Sequence, residues 1–248
     1  MATITFLGTA NALPNKDRES THFLVESGEQ KILVDCAGNP IIRFDQAGLG
    51  PCFITDIILT HFHPDHVAGL PILLLDLLIM GRKDPLNIYG LDKVIDQAEG
   101  MLELFEWQDW GDFFPVQFHR IPDQVLLNVL NTESVRIWTS PVHHLIPTIG
   151  VRMQFPGGSM CYSSDTEPCD NVVELARGVD ILIHEATGGE IGHSLPEQAG
   201  EIAQRASASQ LLLIHYPSKV DTEEWVNRAR SRYSGQVQAA KDWMRINI

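Results

Sequence analysis

Apolar positions in the first quarter of the chain recur every second residue or run in short blocks bounded by turn formers. "TITFLGT", "THFLVES", "KILVDCA" and "DIILTH" read as strands by apolar content and β-branching, with a turn at Ser27-Gly28. "NPIIRFDQAG" breaks the series with helical spacing and a stop at Gly48. Beyond them the pattern predicts an apolar helix up to Gly81, a strand "LNIYG" and a helix from Leu91 to Phe105. In the second half "VLLNVL", "SVRIWTSPV", "IGVRMQF" and "SMCYSSD" alternate like antiparallel strands. A helix over Asn171–Arg177, a buried strand "VDILIHEA", a helix from Pro196 to Ser207 and a buried strand "QLLLIHY" follow. The tail predicts a helix over Thr222–Tyr233 and one last strand within Val237–Ile248. Two groups of strands, each flanked by helices, point to the α/β class: two sheets face to face with helices outside, a four-layer αββα sandwich. Residues 1–248 are expected to form one domain.

Composition narrows the class without naming it. Hydrophobic residues at 44% and charged ones at 20% suit a soluble globular chain able to bury a sizeable core. A net charge of −14 argues against a generic nucleic-acid binder, because phosphate recognition leans on Lys and Arg. Cys36, Cys52, Cys161 and Cys169 show no CxxC spacing and are expected to be buried free thiols of a reducing compartment. No basic n-region precedes Thr3, and "LPILLLDLLIM" is too short to span a bilayer and carries Asp76. A cytoplasmic location is expected.

Titratable residues repeatedly close the apolar strands. Asp35 ends "KILVD", His61 ends "DIILTH", Asp165 ends "MCYSSD", His184 and Glu185 end "DILIHE", and His215 ends "LLLIH". A sheet fixes what stands at its strand ends while the loops there stay accessible, so five such ends point to one pocket at one edge.

The densest chemistry lies in "ILTHFHPDHVAGL", where His61, His63, Asp65 and His66 fall within six residues. Imidazole with carboxylate is a ligand set for zinc and similar first-row ions. Four candidate ligands this close suit two ions: the first two histidines can face one while Asp65 and His66, at a helix start, face the other. Such a centre needs further ligands, including a bridging carboxylate. Asp165, His215 and one histidine of "PVHHLIP" meet that need.

With these residues in place, the chain resembles the metallo-β-lactamase superfamily, and within it the ribonuclease Z group, nearly from end to end. "FLGTANALP", "ILVDCAG", "LTHFHPDHVAGLP", "HLIPTIGVR", "SSDTEPC" with "LARGVDILIHEAT", "GHSLPEQAGEIA" and "LLLIHYP" carry the resemblance. It implies two divalent ions, zinc first and Mn or Fe as alternatives. One would be held by His61, His63 and His144, the other by Asp65, His66 and His215, with Asp165 between them and Asp35 supporting the loop from behind. It selects His144 over His143 because Gly150 and Arg152 fall at the expected offsets. It further implies phosphodiester hydrolysis, with Asp65 orienting or deprotonating the attacking water and Glu185 and His193 protonating the leaving oxygen. A histidine beside a carboxylate suits that last task, since the carboxylate raises its pKa and fixes its tautomer.

The chain departs from the group in two ways. Leu195 follows Ser194 where the group has Thr, a small change. Only 20 residues separate His144 from Asp165, with Arg152 the sole basic one, where the bacterial tRNA-processing enzymes commonly insert a long basic and glycine-rich arm. The missing arm and the acidic charge weaken the case for structured tRNA, and precursor tRNA, another RNA, a cyclic nucleotide and a small phosphodiester all stay open as substrate.

Other features carry less. His22 and His119 are expected to be structural or surface residues, and His143 to point away from its ligand neighbour by strand alternation. His184 fits either core packing or support of a ligand. The helix at 70–80 and the aromatic run at 102–114 fit core, lid or dimer interface alike. Two rival functions are open. The same ion pair can hydrolyse a carboxylic ester, lactone or thioester, with the apolar helix lining a substrate channel, and the fold can also serve as a non-catalytic binding module.

Overall fold

The expected alternation is realised as two seven-stranded sheets. The computed structural model describes residues 1–50 and 54–248, so Cys52 lies outside the described residues. The strands are β1 (Ala2–Gly8), β2 (His22–Ser27), β3 (Gln30–Val34), β4 (Asp56–Ile58), β5 (Leu86–Leu91), β6 (Val116–Ile121), β7 (Leu127–Asn131), β8 (Arg136–Val142), β9 (Thr148–Phe155), β10 (Gly158–Tyr162), β11 (Ile181–Glu185), β12 (Gln210–Ile214), β13 (Gln236–Ala239) and β14 (Arg245–Asn247). The helices are α1 (Pro40–Gln46), α2 (Pro64–Val67), α3 (Leu70–Ile79), α4 (Asp92–Glu103), α5 (Asp170–Leu175), α6 (Pro196–Ala206) and α7 (Thr222–Arg230). One sheet runs β14-β1-β2-β3-β4-β5-β6 and the other β13-β12-β11-β10-β9-β8-β7.

Side-chain parity builds the layers. In β12, Leu212 and Ile214 enter the core shared by both sheets, whereas Leu211 and Leu213 pack under the helices. β11 and β10 repeat this: Ile181, Ile183, Met160 and Tyr162 face the other sheet, Leu182 and Cys161 the helices. A strand covered on both faces reads as a continuous apolar run because both parities are buried. The shared core also takes Ile4, Phe6, Leu24, Ile32, Ile57 and Ile88 from the first sheet. The αββα sandwich is therefore present. Cys36, Cys161 and Cys169 are buried free thiols, and burial pushes the Cys161 thiol up to about 12.

Three elements differ from the sequence reading. The apolar helix expected after the histidine cluster is two helices, α2 and α3, meeting at Gly69. A Cβ at Gly69 would lie 2.8 Å from the carbonyls of Cys36 and Gly38, so only glycine admits this approach. β6, whose half-buried residues give no clean alternation, was not expected; it pairs in parallel with β5 at the sheet edge. The single tail strand is two: β13 joins the second sheet, then the chain crosses and β14 pairs with β1 in the first.

Asp242 anchors that crossing. It accepts Thr9 Oγ1 at 2.7 Å and the Glu19 amide at 2.9 Å, and it pairs with Arg43, whose guanidinium lies 3.8 Å over the Trp243 ring. Beyond it the chain ends meet, with reciprocal Ala2–Ile248 backbone bonds of 2.9 Å each.

The helix at 70–80 is mainly core, since α3 buries Leu70, Leu73, Leu74 and Leu77 and leaves Ile79 and Met80 exposed. In the aromatic run Phe114 is buried and Trp107, Trp110 and Phe113 pack against the shared core, while Leu104 and Phe105 stay exposed. Among the described residues no helix is long and apolar enough to cross a membrane.

Candidate metal centre

β3 to β6 pair in parallel, as do β10 to β13. The carboxyl ends of parallel strands are where α/β folds open crevices, and here the ends of β3, β4, β10, β11 and β12 supply the chemistry. Asp35 follows β3, the histidine loop follows β4, Asp165 follows β10, Glu185 closes β11 and His215 follows β12. Asp35, Ser164 and His215 adopt left-handed backbone with φ of 60°, 55° and 53°. Non-glycine residues carry strain there, and such strain concentrates where side chains must be aimed.

The histidine loop is shaped locally. His63 caps α2 in an extended conformation, Pro64 starts the helix, and Asp65 sits in its first turn, where a carboxylate meets the positive end of the helix dipole. Asp35 stands behind the loop, accepting the Thr60 amide at 2.8 Å, the Thr60 hydroxyl at 2.9 Å and His66 Nδ1 at 2.7 Å.

The same device recurs at the other imidazoles. His61 Nδ1 contacts the Thr60 hydroxyl at 3.1 Å, His215 Nδ1 the Thr187 hydroxyl at 2.8 Å, and His144 Nδ1 donates to the Gly192 carbonyl at 2.7 Å. The Thr60 hydroxyl already donates to Asp35 and the Thr187 hydroxyl to the His215 carbonyl, so each accepts from its imidazole. A proton fixed on Nδ1 leaves the lone pair on Nε2, the tautomer that binds a metal through Nε2.

Those Nε2 atoms converge. His66 Nε2 lies 3.4 Å from His215 Nε2 and 3.5 Å from Asp65 Oδ2, and His215 Nε2 lies 3.4 Å from Asp65 Oδ2. His144 Nε2 is 3.1 Å from His63 Nδ1. Asp165 Oδ2 stands between the sets, 3.7 Å from His61, 3.5 Å from His66 and 4.0 Å from His144. Within each set, His61–His63–His144–Asp165 and Asp65–His66–His215, the ligand atoms lie within 4.8 Å of one another.

Polar atoms crowd together at these distances, and His61 Nε2 and Asp165 Oδ1 are buried with no hydrogen-bond partner among the described residues. Tetrahedral coordination at about 2.0–2.1 Å spaces ligand atoms roughly 3.3 Å apart, so the donors present fit divalent ions of the zinc kind.

Electrostatics follow the geometry. Burial holds His61 well below the usual imidazole range, and the charges of His66 and His144 add to it. Burial alone would lower His66 too, but Asp165 and Asp35 outweigh it and hold that imidazole well above. Burial opposes ionisation of Asp165, yet His215, His66 and His61 keep it well below the carboxylate range. A carboxylate ringed by imidazoles stays charged even out of water.

Beside the sets lies an acid–base pair. Glu185 is fully buried; Oε1 accepts from the Thr166 amide at 3.1 Å, the Ser194 amide at 3.1 Å and His193 Nδ1 at 2.9 Å, and Oε2 from the Thr187 amide at 2.8 Å. Its charge is thus compensated inside the fold. Burial works against the His193 proton, and Glu185 outweighs it and raises the imidazole.

All nine residues singled out for metal or catalysis are therefore brought together, and the other histidines stand apart. His184 shares the parity of Leu182, faces the helices, and among the described residues its side chain hydrogen-bonds only the Glu185 carbonyl, at 2.8 Å, so it packs in the core rather than against a ligand. His22 is buried on the Ser20 carbonyl, His119 stacks on Tyr89 and contacts Asn87, and the His143 side chain is exposed. Sequence reasoning missed Thr60, Thr187, Gly192 and Glu167, whose carboxylate accepts the Gly192 amide at 2.9 Å. Thr60 was within reach as the neighbour of His61; the other three act across the fold and leave no local signal.

Residues 31–216 match the β-lactamase superfamily domain. The whole chain aligns at 26% identity with 97% of a ribonuclease Z from Methanothermobacter thermautotrophicus, and at 28% with 99% of one from Mycobacterium marinum. Among solved structures, 99% of the chain superposes on 99% of the short form of human tRNase Z with a TM-score of 0.81 at 25% identity.

Proposed function

Because the chain belongs to the β-lactamase superfamily, we propose that it is a metal-dependent phosphodiesterase with ribonuclease Z-like chemistry. One observation carries the reading: two ligand sets converge on a shared Asp165 with the Glu185–His193 pair beside them. His61, His63 and His144 would hold one divalent ion and Asp65, His66 and His215 the other. Zinc suits this nitrogen-rich set best, with Mn and Fe also accepted. Bound there, the ions supply a nucleophile at neutral pH and neutralise charge around phosphorus.

The chain's own residues do the rest. Asp65, whose side chain is 14% exposed, reaches the open side of the site and orients the attacking water or takes its proton. Glu185 keeps a proton on His193, which delivers it to the leaving oxygen. The unit acting is residues 1–248 as one domain, a reading supported by the core common to both sheets.

The substrate is an RNA or a small phosphodiester, in line with the names of the relatives. Structured tRNA fits less well, since β9 and β10 join through Pro156-Gly157 alone and the net charge is −14. One observation favours the second reading, an apolar carboxylic ester or lactone: Leu145 at 61% and Ile191 at 78% exposure flank His144 and Gly192. The experiment is metal analysis with turnover of bis-aryl phosphate, RNA and lactone panels. About two ions per chain and phosphodiester cleavage abolished in Asp65→Ala are expected. Lactone cleavage alone, or undiminished turnover in Asp65→Ala, would refute the proposal.

A further inference from the structure

His144 is held differently from the other ligands whose Nδ1 is engaged. His61, His66 and His215 lean on side chains planted at strand ends, Thr60, Asp35 and Thr187. His144 leans on a backbone carbonyl, that of Gly192, in a loop with left-handed glycines at Gly188 and Gly192, φ 128° and 84°. The loop passes so close that a Cβ on Gly192 would meet His144 Nδ1 at 2.9 Å and Leu145 Cγ at 3.0 Å. Whatever holds Gly192 in place therefore helps to fix the imidazole.

Two contacts do so: the His193 amide, on the same peptide as the Gly192 carbonyl, donates to the Glu190 carbonyl at 3.2 Å, and Glu167 holds Gly192 from its other side. The Glu167 carboxylate accepts the Gly192 amide at 2.9 Å, and its own amide donates to the His143 carbonyl at 2.7 Å. One residue thus ties the loop to the end of β8, where His144 emerges, and closes a circuit from His143 through Glu167 and Gly192 back to the His144 ring. We propose that Glu167 is a positioning residue for His144, acting through the placement of Gly192, and so tunes the His61–His63–His144 ion selectively. The inference rests on the reading of that set as a metal site. Among the described residues no hydrogen bond joins Glu167 to Asp65, His66 or His215, and the last two are aimed instead by Asp35 and Thr187.

Partners behind metal ligands typically govern affinity by 10–100-fold, and Glu167 is exposed and one step further out, so about tenfold is expected. The test is Co2+ titration of the metal-free protein, read by visible absorption and chelator competition, for the unaltered chain, Glu167→Ala, Glu167→Asp and Glu167→Gln. The unaltered chain should take up two ions. Glu167→Ala, and Glu167→Asp with its shorter reach, should keep one ion tight and weaken the other about tenfold, with an altered absorption band. Glu167→Gln, whose amide oxygen still accepts the Gly192 amide, should stay within about twofold of the unaltered chain. Equal weakening of both ions, unchanged uptake in Glu167→Ala, or loss in Glu167→Gln as large as in Glu167→Ala would each overturn the inference. No uptake by the unaltered chain would overturn the metal reading itself and this inference with it; two ions there and no effect of Glu167→Ala overturns only the latter.

Discussion

Acid should destabilise this fold in part through His22, a residue outside the metal site. His22 opens β2 with no exposed surface, its Nδ1 donates to the Ser20 carbonyl at 2.8 Å, and its Nε2 is buried without a hydrogen-bond partner among the described residues. Burial, aided by the charges of Arg43 and His66 and opposed by the Ser20 bond, lowers its pKa from 6.5 to about 4. In the unfolded chain the imidazole takes its proton near 6.5, in the fold only near 4, so between those values acid favours unfolding. Stability is intact above the unfolded value and falls as the pH drops towards the folded one. The gap corresponds to about 3 kcal/mol when fully expressed, of which roughly 2 kcal/mol is lost between pH 7 and pH 5. His22→Asn keeps an N–H for Ser20 and removes the titration; the cavity it leaves costs stability equally at every pH. Urea unfolding of both proteins in chelator at pH 7, 6 and 5 is the assay. The unaltered chain should lose about 2 kcal/mol more than the variant across that range. Parallel curves would show that His22 is not held neutral, and the reasoning would fail.

Three further outcomes are expected. In metal-loaded protein, Glu185→Gln should move the alkaline limb of the phosphodiesterase pH–rate profile to lower pH, because the carboxylate that holds the His193 proton is gone; an unmoved limb would exclude His193 as the acid. Asp242→Ala leaves Arg43, 14% exposed, without its carboxylate and should cost about 3 kcal/mol in denaturant unfolding; a loss under about 1 kcal/mol would mean that water satisfies the guanidinium. Leu212→Ala should cost about 2–5 kcal/mol, since Leu212 is fully buried in the core both sheets share.

The site was legible in the sequence to the extent that its ligands are local or stand at strand ends. His61 to His66 are fixed by one loop and one helical turn, so their spacing carried their meaning. Asp165, Glu185 and His215 stood out because polar groups close apolar runs. The assignment of His184 was within reach of parity, since it continues the side of β11 that Leu182 presents to the helices. What stayed illegible depends on distant partners. Nothing near Thr187 foretells its bond to His215, 28 residues on, and nothing near Glu167 foretells Gly192. Nor does the run after Val237 reveal a change of sheet, which is set by the grip of Thr9, Glu19 and Arg43 on Asp242. β6 escaped for a different reason: an edge strand with half-buried residues has little apolar rhythm to read.

The reciprocal bonds between Ala2 and Ile248 bear on how the polypeptide can be rewired. Residues 2 and 248 lie side by side on neighbouring strands, so a short linker between them could close the described fold into a ring without crossing the sandwich. Reopening that ring at the exposed Gly28-Glu29 hairpin would give a circular permutant that keeps every ligand on its native strand end. The order in which the strands leave the ribosome would then be open to choice, with the finished architecture unchanged.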